Sequence, residues 1–142
     1  MKNILVFILF FTLFSCSDND TDPNNILPNI PVNETVFLNN PQYIDLNAVG
    51  GWAYTQGGIS GIILYRAGTT NYIAWERSAP HLSPQNCSQM TVKNSIIMYS
   101  SCGEGSKFSI IDGSPQTDGI NYAARQYRVD ILGNNTLRIT NY

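Results

Sequence analysis

The sequence predicts an all-β domain, built as a small antiparallel sandwich or barrel of about nine short strands. From Pro31 onward no stretch has a convincing helical period, and short segments rich in Val, Ile, Tyr and Thr are separated by Gly, Asn and Pro. Three turns have residues suited to the positive φ of tight hairpins: Gln56-Gly57-Gly58, Ala67-Gly68-Thr69 and Gly133-Asn134-Asn135. Consecutive strands should therefore pair mostly as antiparallel neighbours.

The candidate strands share a short length, β-branched or aromatic side chains and flanking turn residues. They cover residues 34–38, 52–55, 61–65, 72–76, 89–92, 95–100, 107–110, 127–132 and 136–140. Residues 96–99 are apolar throughout, which predicts a central strand buried on both faces. Residues 128–131 alternate between polar and apolar side chains, which predicts a half-exposed strand.

The N-terminus has the pattern of a secretory signal. Lys2 precedes a run over residues 4–14 that is apolar except for Thr12, and this run is shorter than the roughly 20 residues that span a bilayer. Cys16 directly follows Ser15, and this pair resembles the lipobox of bacterial lipoproteins. The resemblance implies that residues 1–15 are removed and that Cys16 is diacylated as the new N-terminus. Ordinary signal-peptide cleavage is the alternative.

Residues 16–30 predict a flexible tether between the lipid and the domain. The stretch 17–25 is polar and acidic, with no apolar residue that would help to build a core. Acidic residues after a lipidated Cys also resemble the surface-export signal of Bacteroidetes lipoproteins. We therefore expect an outer-membrane lipoprotein of the cell envelope, facing the periplasm or the cell surface, with one β domain over residues 31–142.

Composition narrows the possible partners. Eight Lys or Arg stand against ten Asp or Glu, for a formal net charge of −2, and no basic tract is present. Nucleic-acid binding is therefore not expected. The part of the chain after the tether is long enough for one core and too short for two domains.

The cysteines indicate a disulfide. With Cys16 assigned to the lipid, Cys87 and Cys102 remain as an even pair in an oxidising compartment. They lie in two long connections, 77–88 and 100–106, and the first of these also contains His81. If the two connections lie side by side at one end of the domain, a bond between Cys87 and Cys102 would tie them together.

Four segments follow one another in this region. They are a first loop, a second loop, a Gly-Ser-x-Phe motif and an Asp-Gly-x-Pro motif, which read Ala79-Pro80-His81, Ser101-Cys102-Gly103-Glu104, Gly105-Ser106-Lys107-Phe108 and Asp112-Gly113-Ser114-Pro115. Their order resembles the cluster-binding region of Rieske [2Fe–2S] proteins. The resemblance covers roughly residues 62–139 and implies a Rieske-like fold. Many respiratory Rieske proteins also carry a disulfide between these two loops, and Cys87 and Cys102 occupy comparable places.

The resemblance places the four cluster ligands at Ala79, His81, Ser101 and Glu104. A Rieske cluster needs two thiolates and two imidazoles, and only His81 is of the required kind. Alanine has no donor atom, and serine and glutamate offer hard oxygens in place of thiolate and imidazole. We therefore expect no cofactor, with a [2Fe–2S] cluster as the alternative.

These observations favour a binding or structural module of the envelope over an enzyme. One histidine without a nearby acidic pair, and Ser83 and Ser101 with nothing to mark a nucleophile, give no catalytic pattern. Tyrosines near loops, at positions 43, 54 and 122, leave a carbohydrate or an envelope protein open as partner.

Two alternative functions also stay open. One is an electron-transfer protein with an atypical cluster or a single metal, held by residues such as His81, Cys87, Cys102 and Glu104. The other is a thiol oxidoreductase.

Overall fold

The computed structural model describes residues 26–141, and within them the fold is all-β, as predicted. The nine strands are β1 Asn33–Phe37, β2 Trp52–Thr55, β3 Ile62–Arg66, β4 Tyr72–Glu76, β5 Thr91–Lys93, β6 Ile97–Ser100, β7 Ser106–Ser109, β8 Gln126–Gly133 and β9 Thr136–Thr140. Each predicted strand is present, with its ends shifted by two residues at most. A 3₁₀ helix over Pro41–Asn47, which the sequence did not predict, follows β1, and a shorter one over Asn86–Ser88 precedes β5.

The strands form two antiparallel sheets. The larger sheet has the order β1-β9-β8-β4-β3-β2 and curls into a half-barrel, and the smaller one has the order β5-β6-β7. Consecutive strands pair as neighbours in five cases, which confirms the prediction from the turns. Two pairings, β1 with β9 and β4 with β8, join distant parts of the chain and complete the larger sheet, whose edges are β1 and β2.

Two hydrophobic cores lie on opposite faces of β3 and β4. Ile62, Leu64 and Ala74 face the first core, inside the half-barrel. Ile63 and Trp75 face the second core, between the larger sheet and the smaller one. β3 and the second half of β4 are therefore buried on both faces: Ile62, Ile63 and Leu64 are inaccessible to solvent, and Ala74, Trp75 and Glu76 are at most 3% exposed.

The prediction that residues 96–99 are buried on both faces is wrong. Met98 is fully buried, but Ile96 is 51% exposed, and Ile97 and Tyr99 are only partly covered. β6 is central in a sheet that covers the second core with one face only, so its other face meets solvent. A run of apolar residues did not distinguish this arrangement from burial on both faces.

Two of the three predicted turns have the expected backbone. Gly57 and Gly58 have φ of 94° and 64°, and Gly133 has φ of 88°. Gly68 does not adopt a positive φ, so that part of the prediction is wrong. Its turn is held instead by the Arg66 guanidinium, which donates to the carbonyl oxygens of Gly68 and Thr69.

Residues before position 31 also pack against the β domain. Leu27 is only 4% exposed, and the Arg125 guanidinium donates hydrogen bonds of 2.7 Å to the carbonyl oxygens of Leu27 and Pro28. The Val32 amide donates to the Asn141 side chain, which joins this segment to the chain end. Leu27 and Pro28, which the prediction assigns to the tether, therefore contact Arg125 of the domain. The predicted signal and Cys16 lie outside the described residues. Within residues 26–141, no helix has the length and apolar character needed to span a membrane.

Candidate functional site: the disulfide tip

The two long connections meet at one end of the smaller sheet, and we call them together the disulfide tip, residues 77–90 and 101–105. Cys87 and Cys102 lie within disulfide-bonding distance, with their Cα atoms 4.8 Å apart. The Ser101 amide also donates a 3.0 Å hydrogen bond to the Cys87 carbonyl oxygen. The predicted juxtaposition of the two loops and pairing of the two cysteines are therefore present.

The first loop is fixed at its base by a buried carboxylate. Glu76, at the end of β4, is inaccessible to solvent and accepts hydrogen bonds from the amides of Ile59, Ser60 and Ser78 at 2.7–3.1 Å. The Tyr127 hydroxyl donates a fourth bond at 2.7 Å. Four donors compensate for the loss of water around this charge. Burial, and then the bond to Glu76, raises the pKa of Tyr127 well above its ordinary value.

One feature of the sequence indicates that the Glu76 carboxylate is buried. β4 carries apolar residues on both faces before it ends at Glu76, and the structure places Glu76 on the same face as Ala74, toward the first core. A charged residue at an inward position of a strand requires partners. Glu76 links the β2–β3 turn, the first loop and β8, and it thereby sets the position of the tip on the larger sheet.

The Gly-Ser-x-Phe motif has a structural role at each of its defining positions. A Cβ atom on Gly105, where φ is +84°, would lie 2.7 Å from the Tyr99 hydroxyl oxygen. The Ser106 hydroxyl donates to the buried Ser100 hydroxyl at 3.0 Å. Phe108 is fully buried in the second core, with its ring centroid 5.9 Å from that of His81. The motif residues therefore shape the second loop through contacts with other residues of the chain.

The Asp-Gly-x-Pro motif fixes the chain after β7 to the larger sheet. A Cβ atom on Gly113, where φ is +73°, would lie 2.6 Å from the Trp75 ring, so only glycine fits there. The Trp75 indole donates a 2.8 Å hydrogen bond to the Ile110 carbonyl oxygen. Asp112 accepts bonds from the amide and hydroxyl of Ser114, and the Ser109 and Ser114 side chains lower the pKa of this exposed carboxyl.

The four positions that align with Rieske ligands do not fit a [2Fe–2S] cluster. Ala79 is fully buried in the second core, while Ser101 and Glu104 are exposed. His81 is partly covered; its Nδ1 atom is buried without a hydrogen-bond partner among residues 26–141, and burial lowers its pKa. One imidazole is thus the single suitable donor where two imidazoles and two thiolates are required. Elsewhere in the described part of the chain, no three His, Cys, Asp or Glu side chains are grouped to hold a metal ion.

A small cleft opens beside the disulfide, between the β2–β3 turn and the first loop. It has a volume of about 260 Å³ and is lined by Ile59, Ser60, Pro84, Gln85, Asn86 and Gln89. The Gln89 amide donates to the Ser60 carbonyl oxygen at 2.7 Å, and the Gln85 amide points to the Cys102 sulfur at 3.5 Å. The lining therefore offers amides and a hydroxyl but no charge. Sequence reasoning missed this cleft because its two walls are distant in the chain.

The tyrosines considered as a ligand platform are mostly occupied. Tyr43 is buried in the first core, 2.9 Å from the Thr55 hydroxyl. The Tyr54 ring is covered by the Arg77 guanidinium at 3.9 Å, and its hydroxyl accepts the Val92 amide. Only Tyr122 keeps a partly exposed position free of such contacts within residues 26–141.

Comparisons with known proteins give no match, neither to a protein-family model nor to a curated protein sequence. The function of the chain must therefore be inferred from its own residues.

Proposed function

We propose that this chain is a lipid-anchored protein of the cell envelope whose β domain is a Rieske-like scaffold without a cluster, serving as a binding module. The disulfide tip and the adjoining cleft are its recognition site. The observation that carries this proposal is the donor set at the tip. It has one imidazole, a methyl group, a hydroxyl and a carboxylate at the ligand positions, and both nearby sulfurs are paired with each other.

The order of elements supports the Rieske-like part of the proposal. The first loop joins β4 to β5, the second joins β6 to β7, and a glycine-proline segment follows β7. This is the order on which the resemblance rests. The motif residues pack as scaffold at every position, so the fold would not require a metal cluster for its stability.

Electron transfer and thiol exchange remain the competing functions. Electron transfer through a cluster would need ligands that the tip does not offer. Thiol exchange would need a low-pKa thiol, usually next to a base or a second reactive thiol, whereas the hydrogen bonds to the two cysteines come from the Gln85 side-chain amide and from backbone amides. A role as a structural tie therefore suits this disulfide better.

The cleft favours a neutral, hydroxyl-rich ligand such as a saccharide. Primary amides and hydroxyls both donate and accept hydrogen bonds, which suits sugar hydroxyls, and no lining side chain carries a charge. The volume of about 260 Å³ lies below the roughly 300–1,000 Å³ typical of sites for drug-sized ligands. The cleft thus has room for a small group, such as one unit of a longer glycan.

The first experiment measures metal, inorganic sulfide, visible absorption and free thiols on one sample of the full chain, purified in a nonionic detergent. We expect no stoichiometric metal, no charge-transfer band and no free thiol at Cys87 or Cys102 before reduction. Iron with sulfide and a visible spectrum would overturn the proposal in favour of electron transfer. Rapid exchange of the two thiols with a dithiol reagent would favour an oxidoreductase.

The second experiment tests the cleft with an array of neutral envelope-type glycans. Asn86→Ala is the cleanest probe, since this exposed side chain has no hydrogen-bond partner in the described structure. We expect binding to weaken by about five- to tenfold, the value of one hydrogen bond. Asn121→Ala, an exposed amide outside the cleft lining, is the matched control and should bind normally. Equal binding by both variants would exclude the cleft.

The lipid anchor is tested by mass spectrometry of the protein isolated from membranes. Acylation should add the mass of a diacylglyceryl group at Cys16, and Cys16→Ser should remove it and release the chain from the membrane fraction. An unmodified N-terminus after Ser15 would indicate ordinary cleavage.

A further inference from the structure

The outer face of the smaller sheet holds both lysines of residues 26–141. Side chains alternate across its three strands, so that Met98 and Phe108 face the second core and their neighbours face solvent. Lys93 on β5, Tyr99 on β6 and Lys107 on β7 therefore share the outer face. We call these three residues the lysine face.

Apart from the contact of the Lys93 ammonium with the Tyr99 ring, the charges on this face have no partner within residues 26–141. Each arginine within residues 26–141 donates a hydrogen bond to a protein oxygen atom. The ion pair between Arg128 and Asp130 is the one ion pair among the described residues, and it lies on the larger sheet. The ammonium groups of Lys93 and Lys107 make no hydrogen bond or ion pair in this part of the chain, so each keeps three donors for a ligand.

The strand order and register place the two lysines on either side of Tyr99 on this face. The Lys93 nitrogen lies 3.4 Å from the centroid of the Tyr99 ring. Lys107 is the direct cross-strand partner of Tyr99, a position that puts the Cβ atoms about 5 Å apart. The acidic residues on neighbouring loops are Glu104 and Asp118, and neither forms an ion pair with these lysines.

We propose that the lysine face is a second binding site, separate from the cleft, for a phosphate-type oxyanion. A tetrahedral oxyanion presents several acceptors and can take hydrogen bonds from two ammonium groups at once. The flat sheet surface leaves the anion open to solvent on its far side, so the group would be carried on a larger molecule. A phosphorylated sugar and a phospholipid headgroup are the two sources of this chemistry.

The test is a titration of the full ¹⁵N-labelled chain in a nonionic detergent, followed by amide chemical shifts at low ionic strength. The probes are inorganic phosphate, glucose 6-phosphate and glycerophosphoglycerol. We expect saturable shifts at Lys93, Tyr99 and Lys107 that weaken as salt is added. Shifts with glucose 6-phosphate alone assign the source to a phosphomonoester, and shifts with glycerophosphoglycerol assign it to a lipid headgroup; both support the site.

Charge-matched variants decide whether the effect is specific. Lys93→Met/Lys107→Met should raise the dissociation constant by about fivefold or more, because two exposed ion pairs are lost. Arg128→Gln/Arg138→Gln removes the same charge from exposed positions on the larger sheet and should leave binding unchanged. Shifts scattered over the surface, or equal weakening by both double variants, would overturn the proposal.

Discussion

The two sheets are stabilised in different ways. The half-barrel surrounds its own core, and its six strands are joined by antiparallel pairs, of which the β4–β8 pair is the shortest, with two residue pairs. The smaller sheet has three short strands and covers the second core with one face. Three of the nine buried residues of that core, Ile63, Tyr65 and Trp75, come from the larger sheet. The small sheet and its loops therefore depend on junctions: Glu76, Trp75 against Gly113, and the disulfide.

The two regions therefore differ in what they need to keep their shape. A sheet that closes on its own core can hold its shape when loops elsewhere change. A three-stranded sheet with long loops needs local ties, and two of those ties, Glu76 and the disulfide, adjoin the proposed cleft. Loops held on a rigid scaffold are a common location for binding surfaces. Each junction can be removed singly to find how far the two regions depend on each other.

Removing the Glu76 carboxylate should have the largest effect. Glu76→Leu leaves three amides and the Tyr127 hydroxyl without their acceptor, which should lower the free energy of unfolding by about 3–5 kcal/mol. Urea unfolding followed by circular dichroism measures the change. If that variant does not fold, Tyr127→Phe, which removes one bond only, should cost about 1 kcal/mol. A loss below 1 kcal/mol for Glu76→Leu would show that the junction is dispensable.

Removing the disulfide should have the next largest effect. Cys87→Ala/Cys102→Ala opens a link between residues 15 apart in sequence, which the chain-entropy model values at about 3 kcal/mol. The loss should be local in the native state: amide exchange should speed up at Ser101 and Gly105 and stay slow in β8 and β9. Faster exchange throughout both sheets would show that the half-barrel is not independent of the tip.

Gly113→Ala should have an intermediate effect, because it forces a Cβ atom into the Trp75 ring at a positive φ. We expect a loss of about 2 kcal/mol, with a shift in tryptophan fluorescence. Gly119→Ala is the control: its φ is also positive, at 81°, but nothing lies within 4 Å of the added atom. Equal losses for both variants would mean that backbone strain alone, and not the contact with Trp75, is responsible.

The strands were predictable from the sequence, whereas the two-sheet arrangement was not. Alternation and turn residues are local signals, and they located all nine strands. The β4–β8 and β1–β9 pairings, which decide the sheets, join distant segments that no local pattern marks. The apolar run at 96–99 was misread for the same reason, since exposure of Ile96 depends on what covers the sheet.

The site was predictable to a similar extent. The cysteine pair could be inferred by elimination, and the two loops by their length. The cleft combines residues 59–60 with 84–89, and the lysine face depends on the register of three strands. Both are products of tertiary structure. Glu76 is the exception, because it ends a strand in which Ile73, Ala74 and Trp75 are all apolar, and this context is visible in the sequence.

The smallest expected effect on stability comes from the protonation of His81, which packs beside Phe108 in the tip. Burial lowers its pKa below the ordinary 6.5, so below about pH 6.5 the unfolded chain binds more protons at this site than the folded chain does. The stability that it contributes is therefore complete above pH 6.5 and is lost as the pH falls. Because this is the single histidine of the chain, an NMR titration of the imidazole reports it directly and should give a pKa below 6.5.

The matched comparison is the free energy of unfolding at pH 7.5 and pH 5.5. His81→Gln should lose less stability over this interval than the parent chain, since glutamine does not titrate. The carboxylates are the same in both chains, so their contribution cancels in the comparison. An imidazole pKa at or above 6.5, together with equal pH dependence in the two chains, would place His81 in water instead of against the second core. The tip would then be held by the disulfide and Glu76 without help from this ring.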